Sequence, residues 1–357
     1  MDPRVTSPTY GLLEALPKTD LHCHLDGSLR VESILELAEQ DRVDLPAGDP
    51  ESLRRVLHAG QSVASLERYL EAFSVTLAVL QTERGLHRAA FELVEDAARE
   101  NVRYLEVRFS PALHTGRRLA LTAVLETVSA GLRDAEREHR IKTGIIVCGI
   151  RTLSPDLSRE LAELAVQQRT LGVVGFDLAG AEADHPARHH AEAFRVARSH
   201  LLPCTVHAGE AAGAESIREA IHTLGASRIG HGCRLADDDD LFRYVDDHRI
   251  ALECCPSSNL QTGAVASLAE HPLLMFLERG LRVTVNTDNR LISNTTVTNE
   301  LWLLHREAGL DLEQIGRIIL NGFKAGFMPR AAKRELLREA AAEIARAQSA
   351  AGGSVTA

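Results

Sequence analysis

Short runs of β-branched and other apolar residues recur along the chain, each followed by apolar positions at helical spacing. The runs are Asp20–Leu25, Val102–Phe109, Gly144–Ile150, Val173–Leu178, Pro203–His207, Arg228–His231, Ile250–Cys254 and Arg282–Thr287. Near-continuous apolar character over so short a length is what a strand covered on both faces requires. Amphipathic stretches separate them, among them Leu121–Arg140, Asp156–Leu171, Pro186–His200, Gly213–Leu224 and Leu268–Arg279. Eight strand–helix alternations predict an α/β fold, a parallel sheet closed as a (β/α)8 TIM barrel. An open, doubly wound sheet is the architectural alternative.

The rhythm breaks once. Residues 26–101 separate the first two strands, far more than one connecting helix needs, so extra helices are expected there and again at the C-terminus. Within the excursion Leu66, Tyr69, Leu70, Phe73, Leu77 and Leu80 recur at helical spacing. That face either packs into the core or forms a lid over the barrel mouth. No internal repeat and no Pro/Gly/Ser linker divides the chain. Residues 11–349 therefore read as one domain, between a flexible segment 1–10 and a disordered Ala/Gly/Ser tail at 350–357.

Composition narrows the function classes. The 357 residues carry 40 Lys+Arg against 50 Asp+Glu, a formal net charge of −10. A nucleic acid or an anionic membrane surface calls for a basic face, so neither is an expected partner. No apolar run approaches the roughly 18 residues that span a bilayer, and Met1–Tyr10 lacks the apolar centre of a signal peptide. The six cysteines (Cys23, Cys148, Cys204, Cys233, Cys254 and Cys255) include no Cys-x-x-Cys pair. That usage excludes a disulfide framework or a cysteine-rich zinc site and fits a reducing cytoplasm.

Sixteen histidines change the picture more. In Pro17-Lys-Thr-Asp-Leu-His22-Cys-His24-Leu-Asp26-Gly27 the two histidines are two apart on a strand, so both point to one side. His207 ends the fifth predicted strand, His231 the sixth, and Asp288 the eighth. In a (β/α)8 barrel these C-terminal strand ends converge on one mouth. Any one of them alone reads as an ordinary polar strand end. Together they predict a mononuclear metal site, with imidazole and carboxylate donors suited to Zn²⁺. A different zinc signature, His190-Ala-Glu192 followed by Pro203-Cys204, lacks its final cysteine, since His207 stands there, and is rejected. His185, His189 and His190 read as solvated residues of a polar helix, and Asp237–Asp240 as the acidic start of another.

Three imidazoles and one carboxylate leave room for a water on the metal, whose pKa falls from about 15.7 to about 7. Glu210, three residues after His207, is placed to act as a general acid, and His231 as a base or orienting group for that water. These residues argue for metal-assisted hydrolysis or hydrolytic deamination and name no substrate.

The segments PKTDLHCHLDGS, GFDLAGAE, TVHAGE, RIGHG, CPSSNLQTGA and VTVNTDN together resemble the adenosine deaminase family, from about Leu16 to Met328. The resemblance implies one Zn²⁺ per chain and hydrolytic loss of the 6-amino group from a purine nucleoside. It implies His22, His24, His207 and Asp288 as metal ligands, with His24 also lining the substrate pocket. It implies Glu210 as the proton donor to purine N1 and His231 as the residue that handles the attacking water. Gly180 matches the backbone donor to N3, and Asp26 the carboxylate that holds the ribose 5′-hydroxyl. Ser257 and Ser258 fall in a family motif, with a supporting role beside the ligand Asp expected. Two positions refine the substrate. Adenine deaminases of this fold typically read His-Ile-Glu-Gly, whereas His24-Leu-Asp26-Gly27 carries the shorter acid and leaves room for a sugar. Much of the family reads Asp-Asp where this chain has Asp288-Asn289, the second position facing purine N7. Neutral N7 only accepts, and an amide NH₂ donates to it without needing to be protonated first. The implied substrate is adenosine or 2′-deoxyadenosine; a 5′-substituted adenosine or aminodeoxyfutalosine is the alternative, with free adenine further off.

Overall fold

Eight parallel strands form where the apolar runs lie: β1 (Lys18–His24), β2 (Val102–Phe109), β3 (Lys142–Ile150), β4 (Val173–Ala179), β5 (Thr205–Ala208), β6 (Arg228–His231), β7 (Ala251–Cys254) and β8 (Val283–Val285). The computed structural model describes residues 8–58 and 69–352. The strands pair in sequence order as β1-β2-β3-β4 and β5-β6-β7-β8. Two parallel bridges join the halves, Phe176 to Cys204 and Cys23 to Asp288, and the result is a (β/α)8 barrel. β8 is shorter than the apolar run Arg282–Thr287 because side chains take over its pairing. The Asn286 amide accepts from the Leu21 N–H (2.9 Å) and donates to the Cys254 carbonyl, while Asp20 accepts from the Thr287 N–H and hydroxyl.

The apolar core lies between this barrel and the surrounding helices, and the barrel's interior is ionic. Glu106, Arg108, Asp177, Arg228 and Glu253 all come from strands and are buried. Arg108 donates to Asp177 (2.9 Å), Glu253 (2.8 Å) and the Leu21 carbonyl (2.7 Å). Arg228 pairs with Glu253 (2.5 Å) and Glu106 (2.5 Å). Charges so far from water persist when opposite charges compensate them, and here each arginine bridges two carboxylates.

The excursion between β1 and β2 contains the helices Val31–Asp41, Pro50–Leu57, Phe73–Val79 and Glu83–Arg99. Of its periodic face, Leu66 lies outside the described residues, Leu80 is buried in the core, and Tyr69 and Phe73 reach the site described below. After β8 come Val297–Ala308, Leu312–Ala325 and Arg330–Gly352. No described helix is long and apolar enough to cross a membrane. The acidic run starts a helix as expected, with the Asp238 carboxylate accepting from the N–H groups of Asp240 and Leu241. His190 differs from the expectation of a solvated residue. It is 2% exposed and its ring nitrogens pair with the Ser158 hydroxyl (2.8 Å) and the Arg151 carbonyl (3.2 Å). A polar residue on an amphipathic segment faces inward when a partner waits there.

Candidate active site

β1 brings His22 and His24 to the mouth, and the segment after β8 fixes Asp288 beside them. The Asp288 N–H donates to the His22 carbonyl (2.7 Å) and the His24 N–H to the Asp288 carbonyl (2.7 Å). Asp288 thereby adopts φ 58°, and His231, at the end of β6, adopts φ 63°. Backbone held in this left-handed region by a non-glycine residue is characteristic of functional sites. His207 joins from β5. One ligand atom from each of His22, His24, His207 and Asp288 lies within 4.8 Å of the others.

What surrounds these side chains says which atoms face a metal. His22 Nδ1 lies 3.0 Å from Glu253 Oε2, and a carboxylate only accepts, so the proton sits on Nδ1 and Nε2 presents a lone pair. That Nε2 is buried with no hydrogen-bond partner. His207 repeats the arrangement through Asp177, with Nδ1 3.0 Å from Oδ2. The Nε2 atoms of His24 and His207 approach to 3.1 Å, a spacing that a shared cation relieves. Asp288 keeps Oδ1 toward His22 and His24 (3.4 Å each), while Oδ2 accepts from the Ser258 hydroxyl (2.6 Å). Although burial opposes it, the neighbouring histidines hold Asp288 well below the usual carboxylate range. A histidine that donates its far nitrogen to a carboxylate is the usual orientation of a metal-bound imidazole. The residues fit a metal ion. Ser258 sits against Asp288; the Ser257 N–H goes instead to Glu300.

Glu210 is buried at the same mouth, with Oε1 accepting from the Thr262 hydroxyl (3.0 Å) and Oε2 3.5 Å from His231 Nε2. Its turn is built around Glu182, whose carboxylate accepts from the N–H groups of Gly209, Glu210, Ala211 and Ala212 and from the Ser216 hydroxyl. Four consecutive amides converging on one buried acid leave the Glu210 backbone little freedom. His231 stays neutral, because burial and then His22 push its pKa well below the usual value. Asp26 is buried, with Oδ1 lacking a partner and burial raising its pKa to about 7. Gly180 follows β4 directly, with φ 94°. Asn289 donates from Nδ2 to the Tyr69 hydroxyl (3.0 Å), which is also 2.7 Å from Ser293 Oγ. Phe73 packs edge-on near the His24 ring at 6.5 Å, so part of the periodic excursion does cover the mouth.

Of the residues expected from sequence, His22, His24, His207 and Asp288 gather at one mouth with Glu210 paired to His231 beside them. Glu253, Asp177, Arg108 and Glu182 also serve it and carry no motif that marks them, whereas Tyr69 belongs to the periodic face expected either in the core or over the mouth. A charge inside a strand that reads as buried (Arg108, Asp177, Glu253) was the available signal for three of them.

Residues 17–343 match the family described as adenosine deaminase. The chain belongs to the adenosine deaminase family. Among similar family members is the adenosine deaminase of Mycobacterium leprae, 46% identical over 334 residues, which are 89% of this chain and 92% of that one. Of solved structures, the adenine deaminase of Arthrobacter aurescens superposes with a TM-score of 0.84 at 30% identity, covering 93% of this chain and 99% of that one. An amidohydrolase from Burkhoderia ambifaria with bound Zn shares the fold, with a TM-score of 0.88 at 22% identity and 98% coverage of each chain.

Proposed function

We propose that the protein is a zinc-dependent aminohydrolase that converts adenosine and 2′-deoxyadenosine to the corresponding inosine and ammonia. The observation that carries the reading is the buried group His22, His24, His207 and Asp288, facing Glu210 and His231 across one mouth. Three imidazoles and a carboxylate suit Zn²⁺, and a similar amidohydrolase binds it. One such group occurs among the described residues, so one ion per chain is proposed.

Zinc held by these four side chains supplies a water that is nucleophilic at neutral pH. Glu210 delivers a proton to purine N1 as oxygen bonds to C6, which makes the ring electrophilic without a formal charge on nitrogen. His231 holds the attacking oxygen. The C6–N bond then breaks: one proton of the attacking water, accepted by Asp288, passes to the 6-amino group, which leaves as ammonia while C6=O forms, and the other replaces the proton that Glu210 gave to N1. Asp288 serves both as ligand and as the acceptor that orients the attacking water. On the substrate side, the unpartnered Asp26 Oδ1 is available to a ribose 5′-hydroxyl, the Gly180 N–H to N3, the Asn289 amide to N7, and the His24 ring edge lines the pocket. The partner is therefore a small purine nucleoside, with no role for nucleic acid or membrane, and six free, buried cysteines suit a cytoplasmic location. Likeness to an adenine deaminase makes the free base the competing substrate, and the short Asp26 side chain disfavours it.

The test is the loss of adenosine absorbance on conversion to inosine by the zinc-loaded protein, abolished by chelation and restored by zinc. Adenine, 5′-deoxy-5′-methylthioadenosine and aminodeoxyfutalosine run alongside. Faster turnover of any of these than of adenosine would replace the substrate named here.

A further inference from the structure

A chain of hydrogen bonds with only one consistent direction runs from the backbone to His231. It begins at the Leu273 N–H, which donates to His271 Nδ1 (3.0 Å). A neutral imidazole that accepts on Nδ1 carries its proton on Nε2, and burial keeps His271 neutral, with its pKa lowered to about 4. His271 Nε2–H therefore donates to Asn259 Oδ1 (3.2 Å). The Cys255 N–H points at the same oxygen (3.3 Å), so two donors fix which end of the amide is oxygen. Asn259 Nδ2 is then the donor facing His231 Nδ1, at 2.9 Å. Asn259 and His271 are buried, and neither is part of the metal group.

We infer that Asn259, held by His271, locks His231 in the tautomer whose proton is on Nε2, so that an N–H and not a lone pair faces the reacting atoms. The inference deepens the proposed deamination and rests on it for its kinetic consequence. A ring in this form cannot accept a proton at Nε2. His231 acts on the attacking oxygen as a hydrogen-bond donor that concentrates negative charge toward C6, and the general-base alternative for it falls away. Asn259 and His271 are positioning residues, acting through His231.

The decisive variant is Asn259→Asp. A carboxylate at that place only accepts, which demands a proton on His231 Nδ1 and bares Nε2. In the zinc-loaded protein labelled with ¹⁵N-histidine, long-range ¹H–¹⁵N correlation assigns each ring's tautomer, with His231 identified by its absence from the His231→Gln spectrum. The wild-type ring shows an Nε2–H and a bare Nδ1; the Asn259→Asp ring shows the reverse. Adenosine turnover falls roughly 100-fold in kcat, the scale of a lost transition-state donor, with KM within about threefold and zinc content unchanged. His271→Gln, whose amide can still donate to Asn259, retains the wild-type tautomer. An Nδ1–H signal in the wild-type protein, or an Asn259→Asp variant that reverses the tautomer at full kcat, overturns the inference. Absence of turnover by the wild-type protein overturns the substrate reading and leaves the spectroscopic result to stand by itself.

Discussion

Glu253→Gln tests whether the ionic barrel interior serves the metal group or merely holds the fold. Glu253 has four partners: His22 Nδ1 at 3.0 Å and Arg108 at 2.8 Å on Oε2, with Arg228 at 2.5 Å and the Thr205 hydroxyl at 2.9 Å on Oε1. His22, Arg108 and Thr205 donate hydrogen bonds and Arg228 adds an ion pair, so each oxygen faces only positive or donating groups. A glutamine keeps one acceptor oxygen and turns NH₂ toward two positive or donating groups, whichever way the amide lies. Two charge-assisted contacts at about 1.5–3 kcal/mol each are lost, a destabilisation of about 3–6 kcal/mol. For the metal both orientations are harmful. With NH₂ toward His22, the ring must move its proton to Nε2, the nitrogen that faces the ligand group. With the oxygen toward His22, the tautomer survives but the charge that strengthens the imidazole is gone, a loss of about 10–100-fold in metal affinity. The expected result is at least a tenfold weaker zinc complex, measured by competition with a chromogenic chelator, beside a lower unfolding temperature of the metal-free protein. Working metal-free matters, because bound ion stabilises by mass action and would merge the two effects. Thr205→Val is the control: it removes one hydrogen bond to the same carboxylate, costs about 1.5–3 kcal/mol, and leaves zinc affinity alone. If Glu253→Gln binds zinc within twofold of wild type while losing stability, Glu253 supports the barrel only and its link to His22 has no function.

Three further outcomes follow from individual contacts. Glu210→Gln should lose about 10²–10⁴-fold in kcat with zinc content unchanged, since Glu210 is outside the ligand group; loss of zinc together with activity would contradict the assignment. Gly27→Ala should disturb Asn289, because a methyl there would lie 1.9 Å from Asn289 Oδ1. About 1–3 kcal/mol of overpacking and a raised KM are expected, and unchanged thermal unfolding with unchanged KM would refute the close approach. Glu300, buried and accepting from Thr295 (2.6 Å) and the Ser257 N–H (3.0 Å), has its pKa raised by burial from 4.5 to about 7. An acid raised on folding binds its proton more tightly in the native state. Its contribution to stability is complete below the unfolded value and is lost as pH rises through about 7. The shift amounts to about 3 kcal/mol, so Glu300→Gln should flatten the decline in unfolding temperature between pH 5 and 8, and a constant difference from wild type across that range would exclude the effect.

The parts of this site legible in the sequence are those whose signal is local. His22 and His24 announce themselves because strand alternation alone puts them on one side, and His207, His231 and Asp288 because each closes an apolar run whose end the fold brings to the mouth. The supporting acids obey no such rule. Glu253 meets His22 across 231 positions and Glu182 meets the Glu210 turn across 28, distances over which neither periodicity nor spacing carries information. What the sequence does contain is the anomaly of Glu106, Arg108, Asp177, Arg228 and Glu253 inside strands too apolar to be exposed. A charge there must find an opposite charge from another strand. In a closed barrel the only place left for such partners is the interior, beneath the mouth. The same contacts that satisfy those charges set the protons on His22 and His207, which is why the lone pairs of the ligand group point inward before any ion arrives. His190 shows the limit of the same reasoning: its neighbours His185 and His189 are partly or fully exposed, and only the position of Ser158 and Arg151 on other segments decides that its ring turns inward.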